Sequence, residues 1–328
     1  MHFYLVQIAQ RLDWFDYGVA SISRTGAFVA CAAVACWIFA GSSRKWVFWL
    51  SLLASGTFVY FLIQTQSRGA MIGFAVGVAL VFVGSGMNWT RWRVIAVGLA
   101  ALLGCWYAHQ IGFARRVEQM VMLQSSSANV RGDIYLSGIK MIADAPQGWG
   151  AGNAAQAYRQ WYQPPGETES YLSLLNSHLN FLTEHGVLAR LGYFCFWSFV
   201  LCACMPLRKN IFAATALGVW VCFGLTACFS NVANFWVLWV IPVAALMMAL
   251  IFHRKRLLAP RFWGSVIGGA VLCLGVLWGV SLLLPRAVAV KKIGANIYVG
   301  GTKEARALLL QPDLRVLGST YGQELRQA

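Results

Sequence analysis

Charge is scarce in this chain: 11% of its 328 residues are Asp, Glu, Lys or Arg, and only 11 are acids. Soluble domains carry about a quarter charged residues. A sequence 59% hydrophobic with a mean hydropathy of +0.61 therefore falls outside that class. Acidic motifs are missing as well. The longest polar stretch, residues 131–184, holds neither an Asp-x-Asp pair nor a His-x-x-x-His, so it carries no signature of a divalent-metal site. The opening MHFYLVQIAQRLDWFDYG has no basic n-region and carries Asp13 and Asp16, which argues against a cleavable signal peptide. Cysteine is present, but its nine copies sit inside apolar runs and build no ligand cluster with histidine. They read as small hydrophobes.

What is abundant is apolar sequence in runs near the length of a bilayer crossing. Eight spans are expected, at 26–40, 46–64, 70–84, 94–111, 187–207, 211–229, 235–252 and 264–284, the first and third of them short. The formal charge of +15 then has a membrane explanation rather than a nucleic-acid one. Arg44 and Lys45, Arg91 and Arg93, Arg208 and Lys209, and Arg254, Lys255, Arg256 and Arg261 all occupy connections on one side of an eight-span chain. Short basic connections mark the cytoplasmic face. Every Asp and Glu then lies on the opposite face. The expected fold is all-α: a polytopic membrane protein of about eight transmembrane helices with one large periplasmic helical loop. Its parts are an outer N-terminal segment (1–25), spans one to four (26–111), the loop (112–186), spans five to eight (187–284) and an outer tail (285–328).

Within the loop, the stretch 131–184 carries five of the acids, Asp133, Asp144, Glu167, Glu169 and Glu184, together with His178, and His185 follows directly. Three helical pieces are expected in it. The first, 134–142, stops at Asp144-Ala-Pro146 because proline cannot continue a helix and restricts its predecessor. The second, 154–162, puts Ala154, Ala157, Tyr158, Trp161 and Tyr162 on one stripe. The third, 171–184, places Ser173, Asn176, Ser177, Asn180 and Glu184 on a polar face opposite Leu175, Leu179 and Leu182, with His178 at the margin. Gly148-Trp-Gly150-Ala-Gly152 looks like a phosphate cradle, but no strand precedes it, so the dinucleotide reading fails and a flexible turn is expected.

Candidate chemistry rests on arginine and histidine. Arg68 lies in a very short outer turn between two spans, and the small residues Ser67, Gly69 and Ala70 beside it permit close helix approach. Its planar fork suits phosphate oxygens. Arg115, Arg116, Arg131, Arg159 and Arg190 are further cations on the same side. Of these, Arg190 stands within an apolar segment, where charge is costly and usually functional. A solvated or interfacial role is the plainer reading for any single arginine. His178 is the general-base candidate, since histidine is the side chain most often placed to move protons near neutral pH. A structural hydrogen bond is its plainer alternative, and His185 reads as a helix-end residue.

Three features in order resemble the O-antigen ligase-like superfamily of bacterial polysaccharide ligases, polymerases and lipid-linked O-oligosaccharyltransferases. They are Ser67-Arg68-Gly69-Ala70 between two spans, Arg131 with the following Asp144-Ala-Pro146-Gln-Gly-Trp-Gly150-Ala-Gly152-Asn153, and Asn176-Ser-His-Leu-Asn-Phe-Leu-Thr-Glu184-His-Gly186-Val-Leu. The resemblance implies metal-independent transfer of a glycan from undecaprenyl pyrophosphate to an acceptor hydroxyl on the periplasmic face of the bacterial inner membrane. It implies arginines on the pyrophosphate, with Arg68 and Arg131 at the family positions, and a loop histidine that assists the acceptor; the residues themselves add Arg159, Arg190 and Arg115 as pyrophosphate candidates and make His178, Glu184 and Arg131 the catalytic candidates. The family histidine, eleven residues before the glycine, falls on Leu175; His178 stands one helical turn later. The partners implied are the lipid-linked glycan, an acceptor glycan, membrane lipids and other export components, with no cofactor and no nucleic acid. A polymerase for exopolysaccharide or O-antigen repeats is the first expectation, because the ligase histidine is displaced. A ligase acting on lipid A-core, a lipid-linked sugar flippase and a non-catalytic scaffold in an export complex are the alternatives. The absence of an internal repeat and of mid-span charge weighs against the flippase.

Overall fold

The computed structural model describes residues 19–41, 44–85, 91–110, 126–163, 171, 173–205, 210–252 and 260–283. The described residues are helical and contain no strand. In chain order the helices are α1 (Val19–Ala35, prolonged by a 3-10 turn at Cys36–Gly41), α2 (Lys45–Thr65), α3 (Arg68–Gly84) and α4 (Arg91–Gln110). Then come α5 (Ser126–Asp144), the short α6 (Ala154–Ala157) with a π turn at Tyr158–Tyr162, α7 (Ser177–Glu184) and α8 (Val187–Cys204). The last are α9 (Ile211–Phe229), α10 (Val240–Phe252, after a 3-10 turn at Trp236–Trp239) and α11 (Pro260–Leu283).

Among the described residues each of the eight expected spans contains helix, but not all eight are long enough to cross a membrane. Five segments are long and apolar enough, by length and composition, to cross a membrane: Ile22–Phe39, Lys45–Thr65, Trp92–Gln110, Val187–Cys204 and Ile211–Phe229. Arg68–Gly84, Trp236–Ile251 and Ser265–Val276 are shorter apolar helices. The first span is longer than expected because α1 begins at Val19, which brings Arg24 into the helix. Leu53, Leu102, Leu103 and Trp106 stand 62–68% exposed on α2 and α4. Apolar faces of this extent mark contact with another apolar phase, here the bilayer.

The chain divides into two compact units, Met1–Ser125 with Trp197–Ile267, and Ser126–Phe196 with Gly268–Ala328. In the first unit α3 lies against α9 with almost nothing between the backbones. A methyl group on Gly73 would stand 2.6 Å from the Cys222 carbonyl oxygen, and one on Gly77 would stand 2.6 Å from that of Gly218. Glycines four apart share one helix face, so α3 presents a smooth strip to α9. Between membrane helices, where no hydrophobic drive exists, this proximity is what earns dispersion energy. Around the strip are Ala27, Ala30, Val34, Val81, Trp220 and Phe223, all buried.

In the second unit α5 ends at Asp144, as Pro146 requires, but it begins at Ser126, ahead of the expected start. The predicted aromatic stripe is buried: Tyr158, Trp161 and Tyr162 are at most 5% exposed, packed with Ile134, Met141 and Ile142 of α5. The Tyr162 hydroxyl donates to Asp144 Oδ2 at 2.6 Å, which gives the buried carboxylate a partner.

Candidate active site

Helix α7 is shorter than the expected 171–184 for a local reason. Asn176 is extended (φ −149°), and its side-chain oxygen accepts from the backbone N–H groups of His178 (2.9 Å) and Leu179 (3.0 Å). That is an N-cap, which starts the helix at Ser177. Leu175 just before it is left-handed (φ 54°), a conformation that costs a leucine about 1–2 kcal/mol. This strained leucine occupies the family histidine's position.

The polar face read from the sequence is not the accessible one. Asn176, Ser177 and Asn180 are buried, and Asn180 Oδ1 accepts from the Leu174 N–H at 2.9 Å. Asn176 and Asn180 are thus spent on the helix start, and Ser177 is buried beside them. The half-buried stripe runs instead through His178, Phe181, Glu184 and His185. Tyr193 of α8 joins it: its ring stacks on Phe181 (centroids 4.5 Å apart), and its hydroxyl hydrogen-bonds His178 Nδ1. Phe181 also stacks on His185 at 4.2 Å. The result is an aromatic ladder that fixes both imidazole planes. Tyr193 has no motif of its own in the sequence and escapes a reading by spacing.

The carboxyl end of α7 is tied down by two devices. The Trp149 and Gly150 N–H groups donate to the carbonyls of Thr183 (3.1 Å) and Glu184 (3.0 Å). The glycine-rich segment is therefore a helix cap rather than a flexible turn. Gly148 has φ 85°, and a side chain there would run into the Glu184 carbonyl and the His185 backbone, so only glycine fits. The second device is Arg190, 1% exposed. Its Nε donates to the Leu182 carbonyl (2.7 Å), Nη1 to that of Ile142 (3.0 Å) and Nη2 to that of Ala145 (2.8 Å). These oxygens belong to the ends of α7 and α5, where the helix dipoles are negative and carbonyls lack helical partners. Arg190, expected on the pyrophosphate, thus has its guanidinium on three backbone carbonyls. Its charge is neutralised by two helix ends, and it presents no surface to a substrate.

Arg68 is half-buried at the first position of α3, after a tight turn in which Gln66 is left-handed (φ 52°) and donates its N–H to the Ile63 carbonyl at 3.1 Å. Gly69 beside it lies against Phe229, where a methyl group would stand 2.5 Å from Cβ, so the close approach expected from small residues is real. Among the described residues the Arg68 side chain makes no hydrogen bond or ion pair. It stands at a helix N-terminus, itself favourable to anions. Arg24 of α1 is a cation that no motif singles out. It is 8% exposed, with its guanidinium 3.1 Å from the centroid of the Phe235 ring. In the second unit Arg131 is half-buried on α5 and Arg159 is exposed on the π turn. Arg115 and Arg116, like Glu167 and Glu169, lie outside the described residues. Among the described residues no three His, Cys, Asp or Glu side chains gather as a metal site.

The family model described as O-Antigen ligase matches residues 53–194. Over that stretch the chain is similar to the O-antigen ligase-like superfamily. The match supports a membrane glycosyltransferase of the ligase and polymerase kind. It takes in Arg68, Arg131, the capped end of α7, Arg190 and Tyr193, so the ladder and its clamp lie wholly inside the ligase-like segment. No curated protein and no solved structure matches the chain.

Proposed function

We propose that this protein is a polysaccharide polymerase, moving a glycan from undecaprenyl pyrophosphate to a sugar hydroxyl on the periplasmic face of the inner membrane without a metal. The observation that carries the reading is the family match over 53–194, a segment that contains arginines suited to pyrophosphate and a helix with two accessible histidines. Transfer needs three things: a cation for the leaving pyrophosphate, a base for the hydroxyl proton, and the two sugars held in line. Arg68, at a helix N-terminus, and Arg131, half-buried on α5, are the guanidiniums assigned to the pyrophosphate. Arg159 and Arg115 are auxiliary cations for the lipid-linked donor. The base lies on the accessible stripe of α7, for which the sequence nominates His178 and Glu184 and on which His185 also stands. Arg190 acts at one remove, by fixing the end of the helix that carries them. The outward orientation rests on the basic connections 44–45, 91–93, 208–209 and 254–261.

Polymerase is favoured over ligase because leucine stands at position 175 where ligases place histidine. The test is complementation in the native host lacking this gene. Arg68→Ala and Arg131→Ala are each expected to lose long-chain polysaccharide while single-repeat lipid-linked glycan accumulates. Full activity in both variants would sink the mechanism. Long chains completed but left on the carrier lipid in the deletion strain would assign a ligase instead.

A further inference from the structure

Two imidazoles share the accessible stripe of α7, and their hydrogen bonds differ in kind. His178 Nδ1 faces the Tyr193 hydroxyl, which can donate or accept, so that contact fixes no tautomer. His185 Nδ1 faces the Phe181 carbonyl oxygen at 2.9 Å. A carbonyl has no proton to give, so Nδ1 must be the donor, and in the neutral ring the lone pair is on Nε2. That Nε2 has no partner among the described residues. The ring is half-buried and held flat against Phe181 (interplanar angle 16°), and Phe181 is in turn stacked on Tyr193. A base needs a lone pair of known position, a fixed plane and a third group that orients it. His185 has all three.

We propose that His185, through Nε2, is the proton acceptor for the incoming sugar hydroxyl, and that the His178–Tyr193 pair positions the ladder. The proposal rests on the glycan-transfer reading above. In the step, the hydroxyl oxygen of the acceptor forms a bond to the anomeric carbon of the donor glycan. The bond from that carbon to the pyrophosphate oxygen breaks, and its electron pair leaves with the lipid pyrophosphate. The hydroxyl proton passes to Nε2 and is then released to water. The titratable and charged groups on the stripe are His178, Glu184 and Tyr193; the neighbouring α5 carries Arg131, Asp133, Tyr135 and the buried Lys140 and Asp144, and α8 carries the buried Arg190. The 145–150 cap brings none.

Asparagine separates chemistry from structure at this position, because its amide can replace the Nδ1 donor to the Phe181 carbonyl but offers no base. Full-length wild type, His185→Asn and His178→Asn are to be expressed in the native host lacking its own copy. Transfer in isolated membranes is then followed across about pH 5 to 8, where histidine titrates, using lipid-linked glycan extracted from the deletion strain. The expected result is normal membrane abundance for His185→Asn with transfer reduced about 10²–10⁴-fold, the usual contribution of a general base. The acid limb of the pH–rate profile should vanish from what remains, while His178→Asn keeps that limb. Wild-type rate and profile in His185→Asn would overturn the assignment, as would loss of the acid limb in His178→Asn alone. A deletion strain that processes its lipid-linked glycans normally would instead overturn the underlying transfer reading.

Discussion

Arg190 shows how a single residue can be misjudged from its type and its neighbours in sequence. An arginine flanked by Leu188, Ala189 and Leu191 looks expensive unless a ligand pays for it. Here the compensation is internal: three charge-assisted bonds to carbonyls at the ends of α5 and α7. Each bond of this kind contributes about 1.5–3 kcal/mol, and losing one partner of a buried charged set costs about 3–5 kcal/mol. Arg190→Ala should therefore lower stability by about 3–5 kcal/mol. Arg190→Lys should recover only part of that, since an ammonium cannot reproduce the fork. Thermal unfolding of the purified protein in detergent checks both. Equal stability of Arg190→Lys and wild type would show that charge alone suffices. Arg68 is the opposite case, a guanidinium with no partner among the described residues, and the distinction between the two was not visible before their surroundings were known.

At the scale of elements, the strongest statement concerns α3 and α9. Gly73→Val places a branched side chain against a backbone carbonyl 2.6 Å from the added carbon, and helix backbones cannot yield locally. Overpacking of this sort costs about 1–3 kcal/mol in ordinary cores and more against backbone. Gly104→Val on α4, where an added carbon meets nothing within 4 Å, is the control. The expected outcome is loss of folded protein from membranes for Gly73→Val and normal levels for Gly104→Val, read by fluorescence-detected size exclusion. Helix positions were legible in the sequence because long apolar runs and Pro146 are local signals. The side of α7 that faces outward was not. Asn176, Ser177 and Asn180 look like a hydrophilic face by spacing, yet all three are buried, Asn176 as the cap and Asn180 on the Leu174 N–H. Likewise the segment with glycines at 148, 150 and 152 looks mobile, and only the bonds from the Trp149 and Gly150 N–H groups to Thr183 and Glu184 show it as a cap. Spacing reports which residues share a face, while hydrogen bonds between distant segments decide what that face does.

For the whole molecule, the membrane helices and the helical segment between α4 and α8 divide the work that glycan transfer needs. Apolar helices provide a lipid-facing body, and the 126–196 segment provides a rigidly capped helix end with accessible imidazoles. Of the arginines named for the pyrophosphate, Arg68, Arg131 and Arg159 are half-buried or exposed, whereas Arg190 is buried on backbone carbonyls. The family match covers 53–194, the stretch in which all of these lie. The most direct measurement reconstitutes the purified full-length protein in liposomes with lipid-linked glycan extracted from the deletion strain, in buffer containing EDTA. The account predicts that the donor is consumed, that free lipid pyrophosphate appears in step with lengthened glycan, and that Arg68→Ala abolishes both. An unchanged donor pool in the presence of folded protein, or activity that returns only when a divalent cation is added, would contradict it.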